Sequence, residues 1–325
     1  MEEHRKGLIW ALSVDPVGNA TEIGWDGLVG AAVGGYMWIH LDLEAEPARR
    51  WLREESNVDE IAAEALLAEE TRPRCAHFEQ GMLLVLRGVN LNPGQEADDM
   101  VSLRLWLEDR RVISIRRRPV FAGETVRERL LEARGPESVG AFVVAIVGGL
   151  VEKTEEVVGS INDALDELEV AEEGKGELRS LLRRMRELRR QAIQLRRYIA
   201  PQRDALARFV NEPTDWLGSE ERVQLRESVD HTTRFVEDLE AARERAIVIY
   251  EEIAARQSEE LNQRMYALSI VAGLFLPLSF VTGLLGINVA GMWGVDTQWA
   301  FDAVILGLIA LGLFEIVLFR RLKWL

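Results

Sequence analysis

The sequence predicts an α+β domain that is followed by a long stalk helix and two C-terminal transmembrane helices. Short strand-like runs alternate with helical patterns over residues 1–135. No glycine or proline lies between Ser219 and Gly273, so one long helix can begin at Ser219, which is a good N-cap residue. Two apolar stretches near the C-terminus each reach the roughly 20 residues that a helix needs to cross a bilayer.

The N-terminal segment, residues 1–135, is predicted to be a mixed α/β domain. Apolar residues at helical spacing predict a helix in VDEIAAEALLAEE. The glycine cluster between Gly24 and Gly35 is interpreted as a turn-rich connection and not as a phosphate loop, because no helix start follows it. The predicted strands are GLIWALSV, YMWIHLDL, GMLLVLRGVN, MVSLRLWLE and RVISIRR.

Residues 136–218 are predicted to form a helical hairpin. The first helix, residues 138–173, is acidic in its second half and is ended by Gly174 and Gly176. The second helix is rich in arginine over residues 179–197. An antiparallel hairpin would place the acids and the arginines face to face. We favour this arrangement over a nucleic-acid patch, because the neighbouring acids neutralise the arginines.

The overall charge disfavours one class of partner and favours another. The chain of 325 residues has 54 acidic and 39 basic side chains, which gives a formal net charge of −15. Such a surface repels nucleic acid and attracts cations. The single cysteine, Cys75, cannot form an internal disulfide, which fits a reducing compartment. We expect no signal peptide, since the apolar run GLIWALSV is short and ends at Asp15.

Catalytic chemistry finds little support in the sequence. The four histidines form no close metal-binding pair, and no nucleophile elbow, paired-cysteine zinc site or dinucleotide motif occurs. Cys75 and His77 are two residues apart, but two ligands are weak support for a metal, and packing is the preferred interpretation. We therefore predict that the protein is not an enzyme and has no cofactor.

The C-terminal part is predicted to cross a membrane twice. The first span covers residues 265–286, where the Tyr266 phenol is the one ionisable group, and the second covers residues 299–319. The second span contains Asp302 and Glu315. We expect Glu315 to snorkel or to pair with an arginine near the membrane surface, with a role in proton transfer as the alternative.

Basic residues set the predicted orientation of the two spans. Arg256 and Arg264 precede the first span, and the tail 320–325 carries three basic residues. The loop 287–298 carries no basic residue and one acid, Asp296. By the positive-inside rule both termini are cytoplasmic and the loop lies outside. Two helices buried in a soluble core are the alternative.

A stripe with seven-residue spacing runs along the predicted stalk helix, residues 219–264, and into the first span. In the stalk it consists of the carboxylates Asp230, Glu237, Glu244 and Glu251. In the span it is small or polar, which is typical either of tight helix packing or of a pore lining. The carboxylates favour the pore, although a solvated face explains them alone. The stripe and its interleaved positions in and near the span are Asn262, Met265, Ser269, Ala272, Leu276, Ser279, Gly283 and Gly286.

The stretch LPLSFVTGLLGINVAGMWG, residues 276–294, ends the first span in a glycine-rich turn. Pro277 lacks a backbone donor and loosens the helix, and Gly283 and Gly286 permit the turn out of it. Asn288 then follows the helix end, and its carbonyl oxygen suits a hydrated divalent cation. One amide binds such an ion poorly and two spans cannot enclose a path, so a pore requires a symmetric ring of copies.

Residues 262–325, with the motif Gly286-Ile287-Asn288, resemble the membrane part of the CorA superfamily of divalent metal ion transporters. Isoleucine in place of the methionine of the superfamily's Gly-Met-Asn signature resembles the ZntB-like branch, which is associated with zinc. The stretches EETRPRCAHFEQG and LRGVNLNPG are similar to that branch as well. The resemblance implies a funnel-shaped homopentamer in the bacterial inner membrane, with the first span lining the pore and Asn288 at its periplasmic mouth.

The resemblance also implies which positions line the pore and which ion passes. Carried over by position, the lining residues are Asn262, Met265, Leu268, Leu276 and Ser279. Leu276 and Ser279 differ from the Met and Thr that magnesium transporters often have there. Zinc is normally selected by His or Cys, and the stripe contains neither, so zinc rests on the resemblance alone. Mg²⁺, Co²⁺, Ni²⁺ and Cd²⁺ are further candidate substrates.

The predicted function is uptake of divalent cations, zinc above the others, through the central pore of a homopentamer. A divalent cation that moves inward gains roughly 4.6 kcal/mol per 100 mV, so the membrane potential is a sufficient driving force, and proton coupling is left open. One alternative is a Mg²⁺/Co²⁺ channel of the same superfamily. Another, from a different class, is a membrane-anchored oligomeric scaffold.

Overall fold

A computed structural model of the chain describes residues 7–28, 34–69, 71–172, 178–287 and 297–322. The chain divides into two compact units, Met1–Tyr250 and Glu251–Leu325. The division falls inside the longest helix.

A seven-stranded mixed sheet forms the centre of the N-terminal unit. The strand order is β2-β1-β3-β7-β6-β5-β4, and among the described strands β3 and β7 form the one parallel pair, with Trp38 beside Val112. The strands are β1 (Leu8–Val14), β2 (Ala20–Glu22), β3 (Tyr36–Asp42), β4 (Arg74–Phe78), β5 (Gly81–Gly88), β6 (Val101–Glu108) and β7 (Arg111–Arg116).

Helices account for most of the remaining described residues. Local signals fix some of their starts: the Asp59 side chain accepts hydrogen bonds from the backbone amides of Ile61 and Ala62 at 2.9 and 3.1 Å. The helices are α1 (Glu46–Glu54), α2 (Glu60–Leu67), α3 (Phe121–Leu131), α4 (Val139–Glu172), α5 (Leu178–Asn211), α6 (Ser219–Leu285) and α7 (Ala300–Arg321).

Both faces of the sheet are covered, and each cover makes a separate apolar core. On one face, Trp38 and Leu105 pack with residues of α3, α4 and α5, among them Phe142. On the other face, the next residues in the strands, Ile39 and Trp106, pack with α1 and α2. A strand buried on both faces needs apolar side chains in both directions, which explains the nearly continuous apolar runs in the sequence.

The fold class predicted from the sequence is confirmed: a mixed-sheet domain, a long helix and a C-terminal apolar helix follow one another. The predicted strand runs correspond to β1, β3, β5, β6 and β7, and the predicted short helix corresponds to α2. The predicted strands did not include β2 or β4, and no helix was predicted at α1 or α3. Helix α1 was missed because its sequence, EPARRWLRE, is mostly charged and buries just Ala48, Trp51 and Leu52.

Helices α4, α5 and α6 bury apolar stripes with alternating three- and four-residue spacing, as in coiled coils. One stripe is Val158, Ile161, Leu165 and Leu168; the second is Met185, Leu188, Ala192, Leu195 and Ile199; the third is Phe235, Leu239, Ala242, Ala246 and Ile249.

The expectation that acids of α4 face arginines of α5 stays a prediction, because no described ion pair joins these two helices. Three described ion pairs reach α6: Arg245 of α6 contacts Asp166 and, at 2.9 Å, Glu169 of α4, and Arg196 of α5 lies 2.6 Å from Glu240 of α6. The apolar stripes occupy the inner faces, so the charges remain at the rim, where they meet whichever helix is adjacent.

The C-terminal unit contains the last part of α6 and all of α7. Both helices are long and apolar enough to cross a membrane. Length and composition alone support this statement.

Candidate functional site

In the C-terminal unit, α6 and α7 leave partly covered residues in two matching stripes. On α6 these are Ile270, Gly273, Leu274, Pro277, Leu278 and Val281. On α7 they are Val304, Leu308, Leu311, Gly312, Glu315 and Phe319, of which the last two are buried. We call these two stripes the hairpin seam.

Gly273 makes room for the Phe319 ring at the seam. A Cβ atom built at this position would lie 2.9 Å from Cζ of Phe319, which is shorter than a van der Waals contact. Small residues at such crossings are typical of helix packing in membranes. The seam therefore accounts for one face of α6 and leaves the remaining faces to other partners.

Most predicted pore-lining residues lie on the face of α6 that is roughly opposite the seam, whereas Asn262 lies about 100° from the direction of Ile270 and Leu274. At 3.6 residues per turn, Ser279 and Gly283 are about half a turn away from the direction of Ile270 and Leu274. Every member is exposed: Met265, Leu268 and Leu276 expose 67%, 69% and 68% of their surfaces. Asn262, Ser269, Ala272, Ser279, Gly283 and Gly286 are exposed as well. We call this set the open face of α6.

The open face offers an ion little direct ligation. Its polar side chains are all neutral; the Ser269 hydroxyl donates to the Met265 carbonyl at 2.9 Å, which orients the hydroxyl but leaves its oxygen as an acceptor. No carboxylate, histidine or cysteine lies between Met265 and Gly286. A cation that passed along this face would therefore keep most of its water.

Helix α6 ends at Leu285, at the position where the sequence motif begins. The Gly286 amide donates to the carbonyls of Thr282 at 2.9 Å and Gly283 at 3.2 Å, which closes the last turn. Ile287 follows and is 47% exposed. Asn288 and Asp296, the two predicted polar groups of the loop, lie outside the described residues.

The predicted funnel carboxylates are all exposed. Asp230, Glu237 and Glu244 lie on the side of α6 away from its buried stripe, and Glu251 is exposed at the start of the C-terminal unit. Glu244 lies 3.7 Å from Arg243. A seven-residue stripe rotates by about 20° per repeat around a straight α-helix, so these carboxylates share one direction with Met265 only where the helices supercoil.

Glu315 differs from its prediction. It is 6% exposed, so it does not snorkel, and its Oε2 atom has no hydrogen-bond partner in the part of the chain that the structure describes. Glu315 lies four residues after Leu311 and four before Phe319, so it shares their face of α7 and belongs to the hairpin seam. That spacing was visible in the sequence and could have predicted the burial.

Cys75 and His77 do not form a metal site in the described residues. Cys75 is buried in β4, and burial, followed by the negative charge of Glu212, raises the pKa of its thiol to about 12. His77 lies 3.8 Å from Glu212. No group of three or more His, Cys, Asp or Glu side chains with metal-binding geometry occurs among the described residues.

Comparison with known proteins identifies this arrangement. The model of a family described as "CorA-like Mg2+ transporter protein" matches residues 33–321. The chain belongs to the CorA-like family. This membership confirms the resemblance seen in the sequence and the prediction of a transporter in place of an enzyme.

Relatives and a solved structure agree with the family assignment over nearly the full length. The divalent cation transporter CmaX of Pseudomonas aeruginosa is 39% identical over 89% of this chain and 87% of its own length. The zinc transport protein ZntB of Pectobacterium carotovorum is 33% identical over 100% of this chain and 98% of its own. A structure of full-length CmaX has a TM-score of 0.86 at 36% identity and covers 98% of this chain and 99% of that one. The chain is therefore a divalent cation transporter of the CorA family.

Proposed function

We propose that the protein is a funnel-shaped homopentamer that takes up zinc through a central pore lined by the open face of α6. The observation that carries the proposal is the exposure of every predicted lining residue on the side of α6 away from α7. Two spans cannot enclose a path, so this face requires further copies around an axis. We place Asn288 at the outer mouth of the pore, where a ring of amides would contact the hydrated ion.

The orientation is part of the same proposal. Basic residues flank the spans on the side of the termini, and the loop 287–298 has none. Both termini and the N-terminal unit then lie in the cytoplasm of a bacterial cell, below the inner membrane. The carboxylates from Asp230 to Glu251 would face the funnel and attract cations. The pairing of open face and carboxylates would give a path that discriminates by charge and hydration.

Zinc is proposed because relatives named for zinc transport match the whole chain at about one third identity. Magnesium is the second candidate, because the family model is described as a Mg²⁺ transporter and the open face lacks the His or Cys ligands that zinc prefers. Flux of each ion into liposomes that contain the purified protein, at zero and at inside-negative potential, decides between them. An inside-negative potential should accelerate uptake of the transported ion without a proton gradient.

Cysteine substitution tests the pore lining directly, because the natural Cys75 gives no background. Its thiol is buried and stays protonated below a pKa of about 12, so it does not react at neutral pH. Leu276→Cys on the open face should react with a water-soluble methanethiosulfonate reagent, and the reaction should block flux.

Val271→Cys is the matched control, since Val271 is exposed but lies between the open face and the seam. It should react slowly in lipid. Equal reactivity at both positions, or a monomeric mass in detergent, would refute the pore.

A further inference from the structure

A cavity of about 460 Å³ lies in the N-terminal unit, where β5 ends and β6 begins. Two carboxylates, Glu69 and Asp99, line it together with a larger set of basic side chains. The lining of the cavity is therefore basic, although the whole chain has a net charge of −15. The basic lining residues are Arg72, Arg87, Arg104, Arg117, Arg118 and Arg197.

Arg104 is the deepest of these arginines and is 2% exposed. Its Nη1 donates to the Leu66 carbonyl at 2.6 Å and its Nη2 to the Glu69 carbonyl at 3.4 Å. Its Nε has no hydrogen-bond partner in the described part of the chain, and no ion pair to it is found there. A buried guanidinium held by carbonyl dipoles alone retains an uncompensated positive charge.

The charge of Arg104 persists at neutral pH. Burial, followed by the positive charges of Arg117 and Arg87, lowers the pKa of Arg104 to about 10. The neighbouring arginines thus repel one another across the cavity. An anion between them would remove both the repulsion and part of the cost of burial.

Carbonyl and ring contacts orient two further arginines of the cavity. Arg87 donates to the carbonyls of Met100 and Thr71 at 2.7 and 2.8 Å and lies 4.6 Å from the centroid of the Tyr198 ring. Arg197 lies 5.6 Å from the same ring. These contacts orient the two guanidinium groups in advance, which lowers the entropic cost of binding a ligand.

At the rim, Arg118 pairs with Asp99 at 2.6 Å and Arg117 with Glu44 at 3.3 Å. All four side chains are about half exposed or more. Exposed ion pairs of this kind contribute little stability, so a multiply charged ligand can compete with the carboxylates for the arginines.

We propose that this cavity binds a small anion that carries two or more phosphate groups. The arginine fork matches phosphate oxygens in two-point contacts. Among the described residues, the six arginines less Glu69, Asp99 and the Glu44 that pairs with Arg117 leave three positive charges, and two phosphate groups carry roughly three to four negative charges at neutral pH. The volume is within the range of small-ligand sites. The site lies within the N-terminal unit and does not depend on the pore.

Pyrophosphate is the probe, and binding to the purified full-length protein in detergent is measured by titration calorimetry. EDTA removes divalent cations, so that the probe does not act by chelation, and ionic strength is held constant with chloride. Pyrophosphate should bind saturably and should raise the thermal midpoint. Sulfate at the same ionic strength should give at most a small shift. ATP in a parallel titration should bind at least as tightly, since its phosphates present the same charge.

The double variant Arg72→Gln/Arg118→Gln, which changes exposed positions, should weaken pyrophosphate binding about tenfold or more. Arg104→Lys keeps the charge, loses the fork and should weaken binding as well. Arg110→Gln, an exposed arginine at the far end of the β6–β7 hairpin, is the control and should bind like the native protein. Absence of saturable binding, or unchanged affinity in the double variant, would overturn the proposal.

Discussion

The two units of the molecule use helix α6 differently. In the N-terminal unit, α6 buries Leu239 and Ala246 and exposes a side that carries the carboxylates from Asp230 to Glu244. In the C-terminal unit, over residues 265–286, it half-buries Gly273 and its neighbours and exposes a side without charge. Water can solvate the charged side in the absence of any partner. The uncharged side must be covered by lipid or by further copies of the chain, because its apolar side chains are exposed in a single copy.

The largest effect on metal flux is expected at the outer end of the open face. Asn288→Leu should reduce metal flux about tenfold or more, because each copy in a ring would lose its oxygen ligand, whereas assembly should be unchanged. Flux into liposomes and mass in detergent are the measurements. Gln298→Ala removes an amide from the same loop and should keep flux. Native flux in Asn288→Leu would show that the loop amide does not contact the ion.

The seam should tolerate added volume poorly. Gly273→Leu forces a side chain against Phe319 and should cost about 1–3 kcal/mol, seen as a lower thermal midpoint in detergent. Gly307→Leu is the control, because no atom lies within 4 Å of a Cβ built there. If both variants melt at the native temperature, the helix contact is looser than the seam implies.

Substitution of Glu315 should raise the stability of the protein, and a loss of transport is the one effect expected to oppose it. Glu315→Leu removes a buried oxygen that has no partner and should raise stability by about 1–3 kcal/mol. Thermal melting measures the gain, and flux at several pH values measures any loss of function. A lower melting temperature would mean that Glu315 has a partner beyond the described residues. Glu315→Gln keeps the shape and should lie between the native protein and the leucine variant.

The smallest effect is expected on the charged side of α6. The double variant Glu244→Gln/Glu251→Gln should reduce flux severalfold at about 10 mM salt and hardly at all at 150 mM, since screening shortens the reach of exposed charge. Glu252→Gln is exposed and adjacent but points about 100° around the helix. An equal loss in this control would mean that general charge, and not the stripe, attracts the cation.

Sequence periodicity predicted the elements whose burial follows a simple pattern. The strands covered on both faces and the apolar spans belong to this group, because elements that water does not reach carry mostly apolar side chains. Helix α1 was not predicted, because only three of its side chains are buried and they give no recognisable apolar pattern. Glu315 was misjudged because side-chain type outweighed its spacing. The arginines of the cavity come from β5, β6, α5 and two connecting segments, so no local pattern could reveal that they meet.

The parallel contact between β3 and β7 has a consequence for folding kinetics. On one side of it β2, β1 and β3 pair antiparallel, and on the other side β4 to β7 form a meander of hairpins. Both halves can form from neighbours in sequence. The contact between Trp38 and Val112 joins them across more than 70 residues. Closing so long a loop is entropically slow, so we expect the docking of two preformed half-sheets to limit the folding rate of this unit.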